Sequence, residues 1–162
     1  MNNVEIKKMY DADQGARLNA PRFDDPGFEK YARNLFKEDK VRHKRAKEII
    51  EEESDLDGED YYHLAMLFQH SDLEIHNAVK YAKKSMDMGY ENAKWLYAAA
   101  VDRQLTFKGK KQKYGTQFKI LKDGTIEPLP MRDDISDEER GRYNVPPIEQ
   151  KIEELKKKYI KD

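Results

Sequence analysis

Two stretches of the chain, GEDYYHLAMLF (58–68) and GYENAKWLYAA (89–99), decide the fold. Each opens on a glycine, crosses a few polar residues and enters an aromatic, alanine-containing run. YYHLAMLFQH (61–70) is apolar almost throughout, and between Ala93 and Val101 only Lys94 is charged. Helices apolar on nearly all sides belong at the centre of a domain. Between the two stretches, SDLE (71–74) supplies capping residues and IHNAVKYAKKSMDMG (75–89) has amphipathic spacing. Its expected buried side is Ile75, Val79, Ala82 and Met86. Gly89 stands where a helix C-terminus favours glycine. The pattern predicts three successive helices.

The two stretches start 31 residues apart. With the helix between them they resemble one and a half tetratricopeptide-like helical hairpins, a family whose repeat is about 34 residues long. Ala65, Ala82, Ala93 and Ala99 are small enough to let such helices approach closely. A single repeat leaves one face uncovered, so flanking helices must complete the core. Upstream, Val4, Ile6, Met9, Tyr10 and Ala12 give an imperfect stripe over 3–18, and PRFDDPG (21–27) breaks it. Phe28, Tyr31, Ala32, Leu35, Ala46, Ile49 and Ile50 then predict one long helix, or two abutting ones, over about 28–53. The middle of that segment, KEDKVRHKRAK (37–47), reads as a solvated face in which only Val41 and Ala46 can turn to a core.

Downstream, FKILKDGTIEPLP (118–130) reads as two short strands around an Asp123-Gly124 turn, with Pro128 and Pro130 confining the second to an edge. Ser136 and Glu139 have capping-box spacing, and Pro146-Pro147 leads into a last helix with Ile148, Ile152, Leu155 and Tyr159 on one face. The expected architecture is mainly α: tetratricopeptide-like hairpins, flanking helices and one small C-terminal β-hairpin. We read 1–162 as one domain, with a helical core over about 1–106, a loop and hairpin over about 107–131, and C-terminal helices over about 136–160.

Composition narrows the function classes. Charged residues make up 39% of the chain against 38% apolar, and the mean hydropathy is -1.06. No run approaches the ~18 apolar residues of a membrane span, and the first residues lack the apolar core of a secretory signal. A cytoplasmic location is the expectation. Thirty-one basic against 32 acidic residues leave a net charge of -1, no field to gather nucleic acid, although RHKRAK (42–47) and KGKKQK (108–113) are locally basic. The absence of cysteine removes disulfides, thiolate nucleophiles and Cys-type zinc sites.

Five separated blocks, YDADQGAR (10–17), DYYHLAMLFQHS (60–71), AKWLYAAAVDR (93–103), QKYGTQ (112–117) and ERGRYNVPP (139–147), together resemble a protein family grouped as a domain of unknown function. The resemblance spans nearly the whole chain and implies no activity, so chemistry must be argued from the residues.

Four polar clusters coincide with these blocks. His63 and His70 are candidate acid–base residues, with Asp102 or Asp60 to orient them. Helical spacing would place Asp60, His63 and His70 on one edge, which also makes them an alternative divalent-metal set, although no cofactor is expected. Asp102 ends the most apolar helix, where a carboxylate is disfavoured by the helix dipole and needs a partner, whereas Arg103 is favoured there. Arg103 is available for a carboxylate or phosphate. Lys113, Tyr114 and Gln117 flank Gly115 and can offer donors to an anion. Asp11, Asp13, Gln14 and Arg17 concentrate charge on the first helix, and Gln69 precedes His70. Each cluster has a structural explanation as a cap, ion pair or turn; together they suggest a shared polar pocket.

Two function classes follow. The first is a binding or interaction module for a small anionic or peptide-like ligand or a partner protein. The second is a small cofactor-independent enzyme, with hydrolysis as the expected reaction type, using His63 or His70 as acid–base and Arg103, Lys113 and Tyr114 to hold an anion. It lacks a recognisable nucleophile. Monomer and homo-oligomer both stay open.

Overall fold

A computed structural model describes residues 2–159. Among them are seven helices: α1 (Val4–Leu18), α2 (Phe28–Glu52), α3 (Gly58–Phe68), α4 (Ile75–Asp87), α5 (Ala93–Phe107), α6 (Asp137–Arg142) and α7 (Ile148–Tyr159). Strands β1 (Phe118–Ile120) and β2 (Ile126–Pro128) form one antiparallel pair, with Ile120 opposite Ile126 and Phe118 opposite Pro128. The mainly helical architecture with a small hairpin is as the sequence predicts. No described helix is long and apolar enough to cross a membrane.

The core is built on α3. Its start is fixed by a capping box: Asp57 accepts from the Asp60 amide at 3.0 Å, and Asp60 accepts from the Asp57 amide at 3.1 Å. From there Leu64, Ala65, Leu67 and Phe68 are buried against α1, α2 and α4, and α4 packs in turn on α5. Ala65, Ala78, Ala82, Ala93 and Ala100 are fully buried, so these helices meet through small side chains. The turn out of α4 is a Schellman motif, in which Gly89 donates to Met86 O at 2.9 Å and Tyr90 to Ser85 O at 3.2 Å. Gly89 sits at φ +85°, the left-handed conformation such a cap requires.

Two expected faces are corrected. On α4 the buried residues are Ile75, Ala78, Tyr81, Ala82 and Ser85, while Val79 and Met86 are half-buried. Tyr81 stacks on Tyr61 with ring centres 5.8 Å apart, and Ser85 Oγ donates to Gly58 O, which rotates the helix toward α3. In α2, a single helix, Val41 is 69% exposed and His43 is buried instead, beside Ala46 and Ile49. The positions 39, 42, 43, 46, 49 and 50 continue the helical spacing, so the basic run carries a buried face that its charge conceals.

The C-terminal part is tied to α5 by one carboxylate. Asp102 Oδ1 accepts from the amides of Lys113 (2.7 Å) and Tyr114 (2.8 Å), and Oδ2 from the Thr116 amide (3.0 Å) and hydroxyl (2.8 Å). Ala98, Tyr114 and Val145 form a second apolar cluster beside it. Gln112, fully buried, donates to Gln117 O and Leu129 O and accepts from the Gln117 amide, each at 2.9 Å. It joins the loop to the hairpin. No described residue of α7 is fully buried; Ile148, Ile152 and Leu155 are half-buried and Tyr159 is exposed.

Candidate arginine-centred site

The C-terminal turn of α1 carries Asp13 and Arg17, one helical turn apart and hydrogen-bonded to each other. Asp13 is fully buried and also accepts from Gln14 Nε2 at 2.9 Å. Across from α1, α2 presents Asp39 and Arg42. Asp39 accepts from Arg17 at 2.8 Å and from Arg42 at 2.9 Å, and Arg42 lies 3.8 Å from Asp13. Burial raises the Asp13 carboxyl above the usual carboxylate range, with the Asp39 charge in the same direction and Arg17, Arg42 and the Gln14 hydrogen bond opposing it.

Arg103 reaches the same region from α5. Its guanidinium donates to Gln69 O at 3.1 Å, to Gln69 Oε1 at 3.2 Å and to Gln117 Oε1 at 3.3 Å. All three acceptors are neutral, and among the described residues no carboxylate lies within the 4.0 Å of an ion pair. Burial and the positive charge of Arg17 both lower its pKa. His70 follows Gln69. Crowding, Arg17 and Arg103 push its imidazole below the ordinary value, while its exposed surface limits the size of that effect. Arg42 also pairs with Glu38 at 2.9 Å, so three guanidiniums and a neutral imidazole share this region with three carboxylates, none of them on Arg103.

Of the residues singled out in the sequence, Asp13, Gln14 and Arg17 join the ion-pair set with Asp39 and Arg42, Gln69, Arg103 and Gln117 form a second hydrogen-bonded set, and His70 feels the charges of Arg17 and Arg103. Asp11 joins neither: it is exposed and pairs with Lys7 at 2.6 Å. Asp102 has both oxygens filled by the 113–116 loop, Lys113 lies with its ammonium 4.9 Å from the Tyr114 ring centre, and Tyr114 is buried against Tyr143. Burial, then the Tyr143 hydrogen bond, raises the Tyr114 phenol. His63 stacks on Tyr10 with ring centres 4.1 Å apart. Asp60 faces its own cap and the Asn3 amide at 2.7 Å. The expected Asp60–His63–His70 edge therefore does not form: α3 ends at Phe68, so His70 lies beyond the helix on which the spacing was counted. Among the described residues no three His, Asp or Glu side chains are grouped to hold a metal ion.

Sequence reasoning missed Asp39 and Arg42, which complete the network. Their signal was the helical spacing from Leu35 through Asp39, Arg42 and His43 to Ala46, inside a run that looked uniformly solvated. No family model, curated protein or solved structure matches the chain.

Proposed function

We propose that the chain is a small soluble, cytoplasmic binding module that holds an anionic group, a carboxylate or phosphate, at Arg17 and Arg103. The observation that carries this reading is Arg103: a half-buried guanidinium within the electrostatic reach of Arg17, hydrogen-bonded only to neutral oxygens. Such a group is short of negative charge, and a bidentate anion supplies it. The blocks that resemble a family support the reading, since YDADQGAR, DYYHLAMLFQHS, AKWLYAAAVDR and QKYGTQ each contribute a residue to the network. The tetratricopeptide-like arrangement of α3 to α5 belongs to the same proposal. Its support is that a Cβ on Gly58 would lie 3.2 Å from Tyr90 Cβ, so the glycine of the first stretch stands at a close helix approach. We prefer binding to acid–base hydrolysis because, among the described residues, no hydroxyl hydrogen-bonds His63 or His70 as a nucleophile would.

The test is a titration of isotope-labelled protein with inorganic phosphate and with succinate at matched ionic strength. The Arg103 Nε–H resonance and the Gln69 and His70 amides are expected to shift saturably, and Arg103→Gln to lose the shifts of those amides while keeping or raising Tm, as residues held for binding often do. An Arg103 resonance indifferent to both anions overturns the reading.

A further inference from the structure

Beside the arginine set lies a groove of about 510 Å³ between one flank of α2 and residues 70–74. Phe36 on one wall and Leu73 on the other are 61% and 76% exposed, two large apolar side chains facing a concave space. Single apolar residues on a surface need no explanation, but a pair lining a cleft with charged groups at its edge is the composition of a ligand site. Two residues join groove and arginines. Asp39 lines the groove and binds Arg17 and Arg42 at 2.8 and 2.9 Å. His70 also lines it, and the preceding Gln69 is the residue that Arg103 grips.

We propose that groove and arginine set are one site for a small carboxylic acid with an aromatic or branched apolar body. The carboxylate meets Arg17, Arg103 and His70, and the body lies between Phe36 and Leu73. This rests on the anion-binding reading and adds the rest of the ligand to it.

Charge and size both select this class. At the head, Arg17 pairs with Asp13 and Asp39 and Arg42 with Asp39 and Glu38, which leaves Arg103 as the guanidinium with only neutral acceptors for a ligand carboxylate to meet. Along the groove the ion pair of Lys47 with Glu74 is already satisfied. Lys40 lies 4.6 Å from the centre of the Phe36 ring and covers its face. Lys44, Glu48, Glu51 and Asp72 line the groove as well, so its apolar contact is confined to Phe36 and Leu73. The volume falls within the ~300–1,000 Å³ of sites that enclose a small organic molecule.

The experiment titrates the full labelled chain with naphthoate, naphthamide and inorganic phosphate. Naphthoate is expected to shift the amides of 36–40 and 70–74 together with the Arg103 Nε–H, and to bind about tenfold more tightly than the uncharged amide. Phe36→Ala and Leu73→Ser, at exposed positions that leave the fold intact, should weaken naphthoate about fivefold and leave phosphate unchanged. Equal affinity for naphthoate and naphthamide overturns the proposal. So does phosphate binding at Arg103 with no naphthoate response in 70–74, a result that leaves the anion-binding reading standing; silence toward every probe removes both. A peptide, acetyl-Gly-Gly-Phe, binding about tenfold more tightly than naphthoate would assign the groove to chain ends instead and would also overturn it.

Discussion

His63 is held in the neutral state by its surroundings. It is buried on α3 against Tyr10; Nδ1 has no hydrogen-bond partner, and Nε2 is 3.9 Å from the Glu59 carboxylate. Burial lowers its pKa from 6.5, Lys7 acts in the same direction, and Glu59, Asp60 and Asp11 oppose them. In the unfolded chain the same imidazole takes up a proton near pH 6.5. Below that pH the unfolded state binds more protons than the native one, so stability falls as pH falls, by at most about 1.4 kcal/mol per pH unit for this group. His63→Phe keeps a ring on Tyr10 and removes the titration. Thermal unfolding from about pH 7 down to about pH 5.5 should then cost the parent more Tm than the variant. His70 and Asp13 titrate in both proteins and cancel in the comparison. Parallel curves would mean that His63 is not kept neutral by the fold.

At the scale of elements, the loop after α5 makes the strictest demand. Gly115 has φ +79°, and a Cβ there would lie 2.7 Å from Met131 Cε and 2.8 Å from Ile148 Cδ1. Gly89 has a similar φ with nothing within 4 Å. Gly89→Ala should therefore cost about 1 kcal/mol for the backbone alone, and Gly115→Ala about 1 to 3 kcal/mol, because the tips of the Met131 and Ile148 side chains must also turn aside. Chemical denaturation of the two variants checks the difference; equal losses would show that Met131 and Ile148 yield freely. The position of Gly115 in a turn was legible from the sequence, but its crowding was not, because Met131 and Ile148 are brought there by the hairpin and α7. The same division runs through the fold. Helix limits set by local chemistry, such as the Ser136 cap, the Gly89 stop and the Pro21–Gly27 break, could be read directly, whereas α4 starts after Glu74 without the side-chain cap that SDLE suggests. The faces of α2 and α4 could not, since Tyr81 turns inward to stack on Tyr61 and His43 to meet Leu67 O at 2.8 Å. The site was legible in residue type for Arg17, Gln69, His70 and Arg103, whereas Asp39 and Arg42 were hidden by the charge around them.

For the whole molecule the question is how the C-terminal part stays attached to the helical core. The core from α1 to α5 encloses the large apolar cluster around Leu64, Phe68 and Ala82, while Tyr114 and Val145 meet α5 only through the smaller cluster at Ala98. Tyr97 stacks on Tyr143, Arg103 reaches Gln117, and the largest polar hold is Asp102, with four donors from the loop on its two oxygens. Hydrogen bonds to a charged acceptor contribute about 1.5–3 kcal/mol each, so this one side chain rivals the apolar contact beside it. A fold joined in this way should open in two steps, the C-terminal part first and the core at higher free energy. In native-state hydrogen exchange the amides of Lys113, Tyr114 and Thr116 should open together and below those of α3 and α4. Asp102→Asn replaces one acceptor oxygen with an NH₂ group facing donors, and should lower that opening by about 2 to 3 kcal/mol while leaving the protection of Leu64 and Ala82 nearly unchanged. Equal loss of protection in both regions would instead make the chain a single cooperative unit, with Asp102 part of one core rather than the clasp between two. Because Arg103 is the next residue and Gln117 ends the same loop, that opening also takes apart one side of the arginine site. In the two-step case a bound anion should slow exchange at Lys113, Tyr114 and Thr116 and leave the core amides as they were.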